Sequence, residues 1–343
     1  MHIRAKSTTL LENLIKSGAI LCPLCGEKLS LVKITKYKGF IQRGKLQCIS
    51  CNAQFKIYAR IPVLLPPGSY ADWMHPLIET LFGYTRMSYE EIVRKYGLKK
   101  IRELYFKLLK GEYKPPKLYF KEPVDRKLLA EGAQRVTKKA IERHMRLIKE
   151  KTRNGEEYLE MIKYVKETNP ERILDMCSGG GFFLASLLGR YKRFKLLLSI
   201  DIDYHCAKRV EGILKYYNLL DRAMPIVVDA RTMPFKSNYF DVVTNNCGFN
   251  QILGYSKALH EAYRVLKPHG KLIVKDRIAI FQANNEELKS TIGFTREEIV
   301  KICKFCDIYT DKEDFLKLAK KIGFLLDEIK EDCRYFIAVL VKQ

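Results

Sequence analysis

From residue 155 onward the chain changes its apolar period about every ten residues. EEYLEMIKYVKET has helical spacing, ERILDM is a short apolar run, FFLASLLGRYKR is helical again, and KLLLSIDI is a second run. The alternation continues with HCAKRVEGILKYY as a helix, PIVVDA and FDVVTNN as strands, SKALHEAYRVL as a helix and KLIVKDRIAI as a strand. Apolar runs separated by helices predict strands buried on both faces and joined by right-handed crossovers. The expected fold is therefore α/β, a doubly wound and mainly parallel sheet. DKEDFLKLAKKIGF predicts one more helix, and LLDEIKED with CRYFIAVLVK a hairpin at the sheet edge.

Two regions of different character precede residues 155–343. Residues 18–67 carry β-rich segments, LSLVKITKY and KLQCI, between CPLC and CISC, and close with IPVLLPP, whose prolines mark a boundary. Residues 70–154 read mostly as a basic helical segment, broken at Pro115 and Pro116. Its last part, VDRKLLAEGAQRVTKKAIERHMRLIKEKTR, sets Leu129, Val136, Ile141, Leu147 and Ile148 at roughly helical spacing on a surface dense in Lys and Arg.

Composition adds a bias. The 343 residues are 47% hydrophobic, enough for a core, and the formal charge is +23. Residues 1–170 hold 34 basic and 17 acidic side chains, so most of the excess lies in the upstream half. That favours acidic partners such as RNA, anionic membranes or phosphorylated metabolites. The N-terminus lacks the apolar core of a signal peptide and no run reaches a membrane span, so a cytoplasmic protein is expected, with its oligomeric state left open.

Four of the ten cysteines form two pairs, Cys22-x-x-Cys25 and Cys48-x-x-Cys51, with 22 residues between them. This is zinc-ribbon spacing, in which two tight knuckles bring four thiolates to one ion. Four protein ligands leave no open position, which makes the expected zinc structural. A third pair, Cys303 and Cys306 in TREEIVKICKFC, lies on an expected helix with no partner pair nearby. It reads as half-buried thiols, with a disulfide as the alternative.

Chemistry concentrates at ILDMCSGGGFF, a glycine turn between the first strand and the next helix, where a doubly wound sheet binds ligands. NAD, FAD, nucleotides and S-adenosylmethionine (SAM) all use such turns. The dinucleotide fingerprint needs a glycine or alanine where Leu184 stands, and no P-loop sequence occurs. At this point the chain resembles the class I SAM-dependent methyltransferases, in particular the group that includes the quinone-biosynthesis methyltransferases. Four motifs carry the resemblance in order: DMCSGGG, the acid ending LLLSIDID, VVDARTMPFKSNYFDVV, and RVLKPHGKLIV.

The resemblance implies a seven-stranded Rossmann-like sheet and assigns roles. Asp201, with Asp203 as second choice, would hold the ribose hydroxyls, and Ile202 would lie beside it. Asp229 would accept the adenine amino group, and the Ala230 backbone would read the ring. Gly179, Gly180 and Gly181 would pass beside the methionine tail, with Asp175 orienting the turn and Asn245 completing the cofactor set. Two positions depart from the pattern. Cys177 replaces the first glycine, so either its Cβ fits beside the ligand or the turn avoids positive φ there; a packing role is expected rather than a nucleophilic one. His269 replaces a glycine in a turn expected to face solvent. The lobe from 20 to 67 resembles the small zinc-ribbon partner proteins that activate RNA and protein methyltransferases, which also run from a second knuckle into an I-P-x-L-L-P segment.

The acceptor is less legible. Its side chains should come from TNNCGFNQI and from the loop after KLIVKDRIAI, which gives Asn245, Asn246, Phe249 and Asp276 as candidates, each with an ordinary turn or core role as the alternative. The leading expectation is an RNA base methyltransferase, supported by the basic upstream half, the basic helix and the zinc ribbon. The alternative is a small-molecule methyltransferase acting on a quinone, lipid or other metabolite, whose mark is an apolar acceptor pocket closed by residues 282–310. A remote third is a SAM-binding scaffold without catalysis.

Overall fold

The computed structural model describes residues 9–66, 81, 89–114, 137–279 and 285–343, without the side chains of residues 89, 90, 287, 288, 291 and 292. Leu129, Arg135, Val136 and the Pro115–Pro116 break lie outside the described residues. The N-terminal lobe opens with α1 (Leu10–Lys16), whose first turn is closed by a capping box. Glu12 N donates to Thr9 Oγ1 at 3.2 Å and Thr9 N donates to Glu12 Oε2 at 2.7 Å. Four antiparallel strands follow in sequential order, β1 (Leu29–Tyr37), β2 (Phe40–Cys48), β3 (Gln54–Tyr58) and β4 (Ile61–Pro62).

The middle region contributes α2 (Tyr89–Tyr96), α3 (Leu98–Leu109) and α4 (Lys138–Lys151). In α4 the buried stripe is Ile141, Met145 and Ile148, at helical spacing. Leu147, expected on that stripe, is instead exposed, because its neighbour Ile148 takes the inward position.

A 3-10 turn over Arg153–Tyr158 then leads into α5 (Leu159–Thr168), β5 (Arg172–Met176), α6 (Phe182–Leu188), β6 (Leu196–Asp201), α7 (Tyr204–Tyr216), β7 (Ala223–Val227) and β8 (Phe240–Asn246). The chain finishes with α8 (Tyr255–Val265), β9 (Leu266–Arg277), α9 (Asn285–Ile292), α10 (Arg296–Phe305), α11 (Lys312–Ile322), β10 (Phe324–Glu331) and β11 (Tyr335–Lys342).

The seven later strands form one sheet in the order β10-β11-β9-β8-β5-β6-β7. β5 to β9 are parallel, and the β10–β11 hairpin is antiparallel at one edge, as the patterning predicts. From β5 the chain proceeds to β6 and β7 on one side, then crosses to β8 on the other. The switch point is therefore between β5 and β8, which places the ligand crevice at their carboxyl ends. Two boundaries differ from expectation. α6 stops at Leu188 because Gly189 caps it and Tyr191 turns inward, its hydroxyl donating to the Arg193 carbonyl at 3.1 Å. β9 starts at Leu266, so the turn at His269 (φ 62°, solvent-facing as expected) interrupts a strand already begun.

The N-terminal lobe packs directly on the large sheet. Leu64 N donates to Val227 O at 2.9 Å beside a parallel bridge between Val63 and Val227, so the IPVLL segment extends the β7 edge. Arg60 Nε lies 3.3 Å from the buried Glu211 carboxylate, which also accepts from Lys208 Nζ at 2.6 Å. Leu46, Phe55 and Ile57 of the lobe belong to the same apolar cluster as β5, β6 and β8.

The two described parts of the middle region pack in different places. α4 lays its apolar stripe on α6 and α7. α2 and α3 instead form a separate apolar cluster with residues 294–308, built from Ile101, Tyr105 and Leu108 against Phe294, Ile299 and Ile302. Arg102 ties the two halves of this cap, with Nη1 donating to Gly293 O and Nη2 to Glu298 Oε1, both at 2.6 Å.

Candidate active site and metal centre

A cavity of about 440 Å³ opens at the carboxyl ends of β5, β6, β7 and β8. Its size falls in the range of about 300–1,000 Å³ typical of small-ligand sites. The turn after β5 forms one wall. Gly179 and Gly181 both have left-handed backbone, φ 52° and 75°. A Cβ on Gly181 would come 2.4 Å from Ile213 Cδ1, so only glycine allows α6 to start this close to α7. Cys177 also has positive φ, 58°, which overturns the expectation that its turn might avoid that region; the other alternative holds, with its Cβ packed at the cavity wall. Burial, with Asp201 and Asp175 nearby, pushes its thiol well above the usual range, so it is a neutral packing group.

Three acids end consecutive parallel strands and face the cavity. Asp201 Oδ2 accepts from Gly179 N at 2.8 Å and Oδ1 from Asp203 N at 2.9 Å. A carboxylate has about four acceptor sites, so room remains on each oxygen for a ribose hydroxyl. Burial, only partly offset by these N–H groups, pushes Asp201 up to about 6. Asp203 caps α7 by accepting from His205 N at 2.6 Å, which leaves Asp201 the better ribose partner.

Asp175 is buried beneath the glycine turn. Its Oδ1 accepts from Thr244 Oγ1 at 2.9 Å, while Oδ2 is buried with no hydrogen-bond partner. Burial pushes this group up to about 6 as well. An orphaned carboxylate oxygen at the wall of a cavity with two further acids is a fitting neighbour for a cationic ligand carrying an ammonium and a sulfonium.

At the end of β7, Asp229 is held by Arg231. Nε and Nη2 of that side chain donate at 2.9 and 2.7 Å, and Arg231 N donates at 2.9 Å. Three of its four acceptor sites are thus filled, leaving one for an adenine amino group. Arg231 Nη1 donates onward to Leu253 O at 3.0 Å, joining the adenine side to the far wall. Ile202, Val228, Ala230, Gly180, Phe182 and Phe183 complete the cofactor half.

The acceptor half is lined by Tyr158, Asn246, Cys247, Gln251, Ile252 and Leu253. Of the four expected candidates only Asn246 is among these. Asn245 is fully buried near the end of β8, where its Oδ1 accepts from Gly248 N and Phe249 N of the turn that follows and its Nδ2 donates to Met176 O. It therefore does not line the cofactor cavity either. Phe249 is a core residue against Phe315. Asp276, near the end of β9, is buried and ties down the turn after β8 by accepting from Asn250, while it also accepts from Arg277 N.

Tyr158 is what sequence reasoning missed. It reaches the cavity because Asn154 and Gly155 both turn left-handed and close the 3-10 turn that ends at it. Burial, reinforced by Glu157 and offset in part by the Asn246 side chain, pushes its phenol well above the usual value. It is thus a hydrogen-bond donor at neutral pH. The Asn246 Oδ1 beside it is buried without a partner. Cys247 is raised by burial to about 12, so among the described lining residues no side chain on this half is an evident base. Leu253 also packs against the α2–α3–α10 cap, so that cap reaches the acceptor wall.

Residues 174–274 match the family model described as a methyltransferase domain. The chain carries a class I SAM-dependent methyltransferase domain. Similar proteins include the ubiquinone/menaquinone biosynthesis C-methyltransferase UbiE of Rickettsia prowazekii, 29% identical over 48% of this chain and 72% of that protein. The UbiE of Wigglesworthia glossinidia brevipalpis is 30% identical over 33% of this chain and 46% of its own length. A solved SAM-dependent methyltransferase from Aquifex aeolicus aligns with 53% of this chain and 88% of its own, at 18% identity and a TM-score of 0.41.

The second site lies in the N-terminal lobe. The Sγ atoms of Cys22, Cys25, Cys48 and Cys51 all fall within 4.8 Å of one another, with Cys22 and Cys51 at 3.7 Å and Cys25 and Cys48 at 3.4 Å. Zinc–sulfur bonds of about 2.3 Å in a tetrahedron place sulfurs about 3.8 Å apart, so the cluster fits one ion. Leu24 N and Ser50 N each approach a cysteine sulfur at 3.4 Å, the backbone donors that steady a knuckle. Cys303 and Cys306 form no disulfide; the first is buried and the second is half-buried just past α10. Among the described residues no helix is long and apolar enough to cross a membrane.

Proposed function

We propose that the enzyme methylates a carbon of a small, hydroxylated or quinone-like ring, using SAM. The observation that carries this reading is the acceptor half of the cavity. Tyr158 offers a hydroxyl donor and Asn246 an unpaired carbonyl oxygen, side by side, among Ile252 and Leu253. Such a donor–acceptor pair on an apolar floor suits a ring hydroxyl or carbonyl, and the likeness to C-methyltransferases of quinone biosynthesis points the same way. SAM, when bound, supplies the electrophilic methyl group. The chain's own contribution is then orientation: Tyr158 and Asn246 fix the ring, and Asp175, Asp201 and Asp229 hold the cofactor.

A second reading, an RNA acceptor, rests on α4. Lys138, Lys139, Arg143 and Lys149 are exposed along it, and Lys138, Lys139, Arg146 and Lys149 line an open groove with Tyr216. Incubation with tritiated-methyl SAM and a fractionated cell extract separates the two. Label in the organic phase supports the ring acceptor; label in RNA, lost on neutralising Lys138, Lys139 and Arg143, supports the other. The four-cysteine cluster is proposed to hold structural zinc. One zinc per chain by plasma mass spectrometry is expected, and a metal-free, fully folded lobe would contradict it.

A further inference from the structure

We propose that His144, upstream of the methyltransferase domain, is a positioning residue for the SAM site. The inference rests on the SAM reading of the cavity. His144 Nε2 lies 2.9 Å from the carbonyl oxygen of Gly180. A carbonyl can only accept, so Nε2 carries the proton. The imidazole also meets the Phe182 ring edge-on, with centroids 6.2 Å apart. Gly180 and Phe182 both line the cavity.

Gly180 sits between two left-handed glycines, and a peptide flanked by glycines can rotate at small steric cost. Rotation would aim the Gly180 carbonyl dipole in a new direction beside the ligand. The turn is otherwise fixed from below, Gly179 N by Asp201 and Ser178 N by Ile200 O at 3.1 Å. The Gly180–Gly181 peptide is held at both ends, its N–H by Ser178 O at 2.9 Å and its carbonyl, from outside, by His144. His144 can do so because α4 is itself anchored, with Ile141, Met145 and Ile148 buried against α6 and α7. The cofactor site of the domain is thereby completed by a helix 36 residues upstream of the turn.

The test is calorimetric titration of full-length wild type, His144→Phe and His144→Gln with SAM and with 5′-methylthioadenosine, which lacks the amino-acid tail. His144→Phe keeps a ring against Phe182 and removes the donor; His144→Gln keeps an N–H donor. The expected result is a loss of about tenfold in SAM affinity for His144→Phe, recovery to within about threefold for His144→Gln, and unchanged methylthioadenosine binding in both. SAM affinity unchanged in His144→Phe, or both ligands weakened equally, would overturn the proposal. If His144→Phe does not fold, His144→Leu takes its place under the same criteria. Failure of the wild type to bind SAM would overturn the cofactor reading and this proposal together.

Discussion

The two halves of the cavity are built differently. On the cofactor half, each acid stands at the carboxyl end of its own parallel strand, Asp175 one residue before the end of β5, Asp201 as the last residue of β6 and Asp229 just after β7. On the acceptor half, Tyr158 comes from a turn before the sheet, Asn246 from the end of β8, and Leu253 from a loop held by the cap. The first half is set by strand order and needs only local sequence. The second depends on where separate segments meet. A ligand common to many proteins can be bound by a local pattern, while a substrate is met by the surfaces that distinguish one member from another.

The largest expected effect tests whether Asn245 belongs to the acceptor half at all. Its side chain serves two backbone N–H groups and one carbonyl, all buried. Asn245→Ala leaves these groups without partners, and a loss of about 3 kcal/mol in unfolding stability is expected by urea titration. If the variant is as stable as wild type but turns over poorly, Asn245 is a substrate residue and the division drawn above is misplaced. Next in size, Asp201→Ala should cut SAM affinity about a hundredfold, through two lost charge-assisted hydrogen bonds. Acceptor binding should stay as it was. Tyr158→Phe should do the reverse, lowering kcat/KM for the acceptor about tenfold while the SAM dissociation constant holds. A weakening of SAM binding in Tyr158→Phe would merge the two halves into one.

The same contrast explains what was legible. DMCSGGG and the acids after it pointed to the cofactor wall because each motif encodes one strand and its turn, and parallel register carries the rest. The four-cysteine cluster was legible for a similar reason, since two knuckles need only short spacings. Arg231 was quoted inside its motif without a role, because the pattern does not say that its guanidinium closes over Asp229 and reaches Leu253. Tyr158 lay in a stretch read as plain helix. The signal that could have found it was Asn154-Gly155, a pair suited to left-handed backbone that breaks the helical period just upstream. Of the candidates Asn245, Phe249 and Asp276 only Phe249 lies in a loop, Asn245 and Asp276 standing near the ends of β8 and β9, and all three side chains turn inward, because a loop crossing the end of a sheet needs its own anchors. Residues 282–310 were expected to close an acceptor pocket, but the share of α2 and α3 in that cap could not be foreseen from periodicity, as α3 and α10 are nearly two hundred residues apart and meet through their apolar faces and the Arg102–Glu298 pair.

The smallest expected effect concerns pH, and it separates the acids by function. Asp175, Asp201 and Asp276 are each raised by burial from an ordinary value of 3.8 to about 6. Without cofactor, the folded chain holds more protons than the unfolded one between pH 3.8 and about 6. Its stability therefore rises as pH falls through that window, and these groups cost stability at neutral pH. Cofactor binding has the opposite sign, since Asp175 and Asp201 face the cavity and must be charged to meet a cation and two hydroxyls. Between pH 7 and pH 5.5, SAM affinity should fall about fourfold for one such group. Thermal melts at both pH values, with and without SAM, measure the two trends together. The expected pattern is a higher melting temperature without ligand at pH 5.5, and a smaller shift on adding SAM. Asp276→Asn should weaken the first trend and leave the second intact, because Asp276 is buried under the acceptor loop and does not line the cavity. If that variant also changes the SAM shift, the anchor beneath the acceptor loop is coupled to the cofactor, and the Arg231 bridge from Asp229 to Leu253 is the contact through which the coupling would run.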